Sequence, residues 1–176
     1  MEEAHAMTGQ AKLTRAEAED FLYAESRLID EDQLEQWLQL FTPEGIYWLP
    51  SDENADPEYE TSIIHDDKLQ LEKRIYQLRN KHLAQDPRSR TVHFISNVQV
   101  EAGNNMDEVT ILCNQIIHEL RPGDHQRLQA GLGQTRSFAT RCKYTLQHQN
   151  GSWHIALKQV LLIDRDLPLE NISFIL

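Results

Sequence analysis

The run DPRSRTVHFISNVQV, residues 86 to 100, constrains the fold more than any other stretch. A helix stop, an arginine-bearing loop and a period-two strand follow one another in fixed order. Pro87 drives the residue before it out of helical backbone, so a helix must end upstream. Beyond it Val92, Phe94, Ser96, Val98 and Val100 alternate with Thr91, His93, Ile95, Asn97 and Gln99, a strand pattern with apolar residues on both faces. A helical first half hands over to a sheet here.

Upstream, Thr14 and Glu17 have capping-box spacing and open a first helix whose apolar face is set by Phe21, Leu28 and their neighbours. The acidic break Asp30-Glu31-Asp32 ends it. Leu34, Trp37, Leu38 and Phe41 then recur at i, i+3, i+4, i+7, predicting a short second helix closed by Pro43 and Gly45. Ile46-Tyr47-Trp48-Leu49 reads as a strand ending at Pro50, and SDENADPEYETS as a polar surface loop. Asp66 or Asp67 can cap a third helix with Leu71, Ile75, Leu78 and His82 on one face, ending before Pro87.

Downstream, a loop at Gly103-Asn104-Asn105 precedes a long strand from about Val109 to Leu120, stopped by Arg121-Pro122-Gly123, with Gly131 and Gly133 in the next loop. Asn150-Gly151 suits the positive φ angles of a two-residue type I′ turn, joining residues 137 to 149 and 152 to 163 as a long hairpin. Strict alternation puts Trp153, Ile155, Leu157 and Leu161 on one face and His154, Ala156, Lys158 and Val160 on the other. The apolar ending NISFIL should pack as an edge strand or at an oligomer contact. Helices first and a meandering antiparallel sheet afterwards predict the α+β class, with a curved sheet wrapped around helices into a cone.

The 176 residues predict one domain, 14–176, behind a flexible tail, 1–13. No stretch approaches the roughly 20 apolar residues of a membrane span, and the start MEEAHAMTGQAK lacks a signal peptide's basic and apolar regions, so a cytoplasmic location is expected. Residues 1 to 60 hold 16 of the 28 acids but 3 of the 17 bases. That acidity, without a Lys/Arg stripe, disfavours nucleic acid and anionic membrane as partners. Cys113 and Cys142 stand at no metal or redox spacing and read as small core hydrophobes, as Trp37, Trp48 and Trp153 read as core aromatics.

Four segments in order, FLYAESRLIDEDQLEQWLQLFTPEGIYWLP, SIIHDDKLQLEKRIYQLR, DPRSRTVHFISNV and NISFIL, resemble the small (beta) subunit of aromatic-ring-hydroxylating dioxygenases, over nearly the whole chain from Glu17 onward. The resemblance implies the cone-shaped nuclear-transport-factor-2-like fold, N-terminal helices packed in a curved, mainly antiparallel sheet. It also implies a homotrimer beneath three large alpha subunits, an alpha3beta3 hexamer. The Rieske iron-sulfur cluster and the mononuclear iron belong to the alpha subunit, and this chain carries no cofactor and no catalytic residue. The assembled oxidoreductase would take NAD(P)H-derived electrons through a reductase and convert an aromatic compound, such as a benzoate-like acid, to a cis-dihydrodiol. The family pattern places an arginine where this chain has Lys158 or Gln159, so an inter-subunit ion pair made by that arginine does not carry over.

The residues agree with that division of labour. A Rieske site needs paired Cys and His motifs, and none of the eight histidines has the His-x3-His spacing common at mononuclear iron sites. His118-Glu119 and His65-Asp66-Asp67 come nearest to a metal set, but neighbours on a strand point to opposite faces, and the aspartates are helix caps. Arg88 and Arg90 are the candidates for a specific role, structural or across a subunit boundary, through arginine's planar donors; Arg90 is expected to pin the helix-to-strand junction or reach an acidic partner group. Cone folds also host isomerases and dehydratases, and a free-standing enzyme of that kind would draw its acid, base and oxyanion donor from Asp30, Tyr47, His65 and His93. Asp30, in the acidic break, reads as exposed. A non-catalytic ligand-binding homodimer is a third reading. Fold by itself cannot award either activity.

Overall fold

Thr14 begins the first helix as its spacing predicts. Its side chain accepts from the Glu17 N–H at 3.3 Å, and Glu17 returns a bond to the Thr14 N–H at 2.8 Å. The computed structural model describes residues 13–56, 59–80, 88–122, 133–169, 172 and 174–176. Helix α1 (Arg15–Asp30) buries Ala18, Leu22, Glu25, Ser26 and Ile29, with Phe21 and Leu28 flanking that stripe half-buried. Leu13, assigned to the tail by its sequence, already lies in the core.

Helix α2 (Leu34–Gln39) is followed immediately by strand β1 (Phe41–Pro50), so the sequence reading ends the helix too late. Pro43 and Gly45 do not close a helix; they occupy a bulge in β1. The β1 register jumps between Phe41 and Ile46, so Pro43's missing N–H costs no ladder bond. Glycine is needed there, because a Cβ on Gly45 would lie 2.7 Å from the Ile155 carbonyl oxygen. Strand β2 (Ser62–Asp67), absent from the sequence reading, pairs antiparallel with β1 and runs straight into helix α3 (Lys68–Asn80). Asp67 is the cap, accepting from the Gln70 N–H at 2.8 Å, while Asp66 pairs with Arg74 at 2.5 Å. His82, Pro87, Gly123 and Gly131, which the sequence reading used, lie outside the described residues.

Strands β3 (Arg90–Ala102), β4 (Glu108–Arg121), β5 (Gln134–Gln149) and β6 (Ser152–Leu162) complete a six-stranded sheet of order β2-β1-β6-β5-β4-β3. Among the described strands only the β1–β6 pair is parallel. The β5–β6 turn has Asn150 at φ 52° and Gly151 at φ 83°, as the type I′ reading requires. Helix α1 lies across β3, and α2 and α3 lie against β1, so the core fills the sheet's inner face.

Two bulges overturn the strict alternation read from sequence. In β3, Ser96 pairs with Asn114 and Gln99 with Leu112, leaving Asn97 (φ 56°) and Val98 opposite Cys113. One extra residue exchanges the faces. Thr91, His93 and Ile95 therefore point toward α1 before the bulge, and Val98 and Val100 after it, while Val92 and Phe94 turn outward. In β6, Ile155 pairs with Leu146 and Leu157 with Thr145, so Ala156 is the extra residue; Ile155, Lys158, Val160 and Leu162 all reach the interior.

Residues 174–176 pack inward without joining the sheet. Ile175 and Leu176 are buried, and Phe174 meets Phe138 at 5.6 Å between ring centroids. Trp37 is fully buried in the core and Trp153 packs beside it. Trp48 is buried apart from that core, its indole N–H donating to Ser62 Oγ at 2.8 Å.

Candidate functional site

At the centre of the inner face a charged pair is enclosed. Lys158 Nζ lies 2.7 Å from Glu25 Oε1, and both side chains are 0% exposed. The Trp37 indole donates to the same oxygen at 2.6 Å, and the Tyr144 hydroxyl donates to the other at 3.4 Å. Gln115 Nε2 donates to Tyr144 Oη at 3.0 Å. The ammonium also sits 5.6 Å from the Trp37 and Tyr144 ring centroids and 5.9 Å from that of Tyr47. A buried ion pair survives only when its desolvation is offset by such additional partners. Burial drives both tyrosine pKa values upward, and Tyr47 spends its hydroxyl on the Leu176 backbone, 3.1 Å from N and 3.3 Å from O. These groups are committed to one another.

Sequence reasoning missed this pair for two reasons. Glu25 stands in the stripe Ala18, Leu22, Glu25, Ile29, a signal that was available at helical spacing. Lys158 gave none, because the Ala156 bulge alone turns it inward.

A second polar group lies where α1 ends on β3. Asp30, read as exposed, is half-buried: its Oδ1 accepts from Thr91 Oγ1 and faces His93 Nδ1, both at 2.7 Å, and its Oδ2 accepts from the His93 N–H at 3.0 Å. Burial opposes the Asp30 charge most strongly, but the His93 hydrogen bond, the His93 charge and the Thr91 bond outweigh it and lower the carboxyl's pKa. His93 Nε2 is buried and meets no polar partner among the described residues. On the adjoining strand, fully buried Glu119 accepts from Ser89 Oγ and from Arg136 Nε at 2.8 Å, and Arg136 also covers the Phe138 ring at 4.9 Å.

Of the acid-base candidates, the fold brings together Asp30 and His93 only. Tyr47 is tied to Leu176, and exposed His65 on β2 stacks edge-on against Trp48 at 6.3 Å. The donor that an isomerase or dehydratase requires is therefore not Tyr47. Exposed His118 Nδ1 lies 2.9 Å from Ser137 Oγ and faces away from Glu119. Among the described residues no group of three or more His, Cys, Asp or Glu side chains is placed to hold a metal ion.

The arginine junction differs from expectation in one residue. Arg88, not Arg90, ties the junction back: it pairs with Asp32, whose φ of 58° turns the chain between α1 and α2. Arg79 of α3 reaches the same place, donating to the Asp32 carbonyl at 2.7 Å and to Glu35 Oε2 at 2.6 Å. Arg90 is exposed at the start of β3 and makes no ion pair with a described residue. Beside it the outer face carries Val92, Phe94 and Ile116, which are 42%, 59% and 50% exposed. Phe94 pairs across with Ile116, and Ile116 with Ala139, making one continuous apolar strip.

Comparison with known proteins agrees with this architecture. The p-cumate 2,3-dioxygenase small oxygenase component of Pseudomonas putida is 34% identical over 149 residues, 78% of this chain and 82% of that one. The benzoate 1,2-dioxygenase beta subunit of Acinetobacter baylyi is 33% identical over 101 residues, 53% of this chain and 59% of that one. Among solved structures, the benzoate 1,2-dioxygenase beta subunit of Burkholderia mallei superposes with a TM-score of 0.73 at 24% identity, covering 94% of this chain and 99% of that one. An NTF2-like protein with a cystatin-like fold from Novosphingobium aromaticivorans superposes at 0.55 and 16% identity, covering 85% and 82%, which places the sheet and helices in the expected cone-shaped fold class. The model of the ring hydroxylating beta subunit family matches residues 24–168, and with that span, the dioxygenase small-subunit relatives and the shared fold, this chain belongs to the ring-hydroxylating beta-subunit family.

Proposed function

We propose that this chain is the non-catalytic small subunit of a cytoplasmic ring-hydroxylating dioxygenase, self-associating as a homotrimer and supporting three alpha subunits in an alpha3beta3 assembly. The single observation that carries this reading is the contrast across the sheet. Inside, Glu25 and Lys158 are paired with each other and with Trp37 and are closed off from solvent; outside, the strip of Val92, Phe94 and Ile116 is exposed. A contiguous apolar strip on a strand face is a surface for another protein. The Rieske cluster, the mononuclear iron and the oxygen chemistry reside in the alpha subunit. Arg90, which makes no ion pair with a described residue and stands at the edge of that strip, reaches an acidic group across a subunit boundary.

The substrate class follows from the relatives. The dioxygenases of these relatives are named for p-cumate, benzoate, 2-halobenzoate, toluate and 3-phenylpropionate or cinnamic acid, all of them aromatic compounds that carry a carboxylic acid. The assembly containing this chain accordingly dihydroxylates a benzoate-like acid to a cis-dihydrodiol. Capture of the tagged chain from its native cells, with mass spectrometry and a visible spectrum of the eluate, tests the whole. A stoichiometric larger subunit with iron-sulfur absorption is expected. A colourless chain that remains monomeric and partnerless would overturn the proposal and return attention to the Asp30–His93 dyad.

A further inference from the structure

Cys113 on β4 and Cys142 on β5 are direct partners across an antiparallel ladder. Directly opposed residues carry their side chains on the same face, and both ladder positions hold Cα atoms about 4.5 to 5.5 Å apart, inside the range a disulfide spans. Both cysteines are free thiols facing the core, each 3% exposed. Burial of this kind usually makes a cysteine inert, but two features set this pair apart.

The first is access. The β3 bulge falls opposite Cys113, where Asn97 and Val98 together face that one residue and the β3–β4 ladder is interrupted. A cleft of about 590 Å³ opens at this point, lined by Arg15, Asn97, Val98, Arg141 and both cysteines. The second is chemical asymmetry. Thr140 Oγ1 lies 3.3 Å from Cys142 Sγ, and Gln115 Nε2 donates to Cys113 Sγ at 3.9 Å. Burial opposes a Cys142 thiolate, but hydrogen bonds with Cys113 and Thr140 and the Lys158 charge outweigh it and lower that thiol's pKa. The Cys113 thiol, hydrogen-bonded to Cys142 and buried, is pushed up. The Thr140 hydroxyl against its sulfur makes Cys142 the attacking thiol of the pair, with Cys113 opposite as its resolving neighbour.

We propose that Cys113 and Cys142 are a redox-active dithiol, which hydrogen peroxide entering beside the Asn97 bulge oxidises to an internal cross-strand disulfide. The Cys142 thiolate attacks one peroxide oxygen, the O–O bond breaks, and hydroxide leaves to take a proton as water. The resulting sulfenic acid is attacked by Cys113, which loses its proton, forms the S–S bond and expels a second water. Two thiols are oxidised by two electrons and one peroxide is reduced to two waters. The product ties β4 to β5 beside the Tyr144 and Gln115 end of the central network.

The test treats the native full-length chain with stoichiometric hydrogen peroxide, quenches it with an alkylating agent under denaturing conditions, and maps the digest by mass spectrometry. Expected are loss of both alkylatable thiols, a peptide pair joined through Cys113 and Cys142, the mass of an unlinked monomer, and full recovery of both thiols with dithiothreitol. Cys113→Ser should stop at a sulfenic acid on Cys142 that dimedone traps, and Cys142→Ser should leave Cys113 unreacted at the same dose. The proposal is overturned if both thiols stay alkylatable in the native chain, if the disulfide forms only after unfolding, or if the bond found joins two chains. Because the peptide map needs only the unmodified protein, poor folding of a serine variant does not remove the test.

Discussion

The two faces of the sheet across β3, β4 and β5 are built from the same alternating strands yet are satisfied differently. The inner face holds its main charged side chains in internal pairs: Glu119 has Ser89 and Arg136, Asp30 has Thr91 and His93, and Lys158 of neighbouring β6 has Glu25. The outer face holds exposed apolar side chains, Phe94 at 59% above all. A side whose buried charges are paired stabilises the fold, and a side that has left apolar surface open is suited to association. Under the proposed function, the difference assigns folding to the interior and association to the exterior.

The contrast can be broken most directly from inside. Lys158→Met leaves the Glu25 carboxylate buried without its cation and should cost about 3–5 kcal/mol, with much of the loss recovered when Glu25→Gln is added. Urea unfolding checks this, and an unchanged midpoint would mean that the inner face is not closed around the pair. On the outer face, Phe94→Glu should weaken self-association by about 2 kcal/mol or more, about 30-fold in Kd. Because Phe94 is largely exposed, the same change should leave the unfolding of dilute protein within about 0.5 kcal/mol of the parent. Sedimentation over a concentration series separates the two effects, and loss of fold without loss of association would reverse the assignment of the faces.

The boundary between the faces gives smaller effects. Asp30 has a lowered pKa in the folded chain, so its contribution is present above the ordinary carboxylate range and is lost as pH falls through the lower folded value. Asp30→Asn should therefore remove about 1 kcal/mol near neutral pH and flatten the acid limb of the stability curve there, with wild type and variant converging at low pH. Parallel curves at all acid pH values would mean that Asp30 is not linked to folding. Arg88→Ala, cutting a partly exposed ion pair with Asp32, should cost less than about 1 kcal/mol. Arg90→Lys should leave the isolated chain unchanged and register only in trimer and complex stability; no change there would eliminate its role at a boundary.

Local signals in the chain were strong wherever backbone chemistry is decided by adjacent residues. The Thr14–Glu17 box, the Asn150-Gly151 turn, the Asp67 cap and the period-two runs of β3 to β6 are each readable within a few residues, because caps and turns satisfy their own backbone groups. Four segments in order were enough to indicate the family. Strand β2 escaped because six residues running directly into a helix show little period, and its strand identity comes from pairing with β1.

What tertiary structure alone decided is which way the strands face and which side chains meet. Two bulges, at Asn97 and Ala156, each shift the alternation by one residue, turning Val92 and Phe94 to the outside and Lys158 to the inside. A bulge adds nothing to composition and leaves the period intact on either side, so a sequence pattern passes over it, whereas in space it exchanges the two faces. The partners thereby joined, Glu25 with Lys158, Asp30 with His93, Asp32 with Arg88, and Cys113 with Cys142, are far apart along the chain. Sequence determined the class of fold and the family; long-range register determined what the interior holds and what the exterior offers.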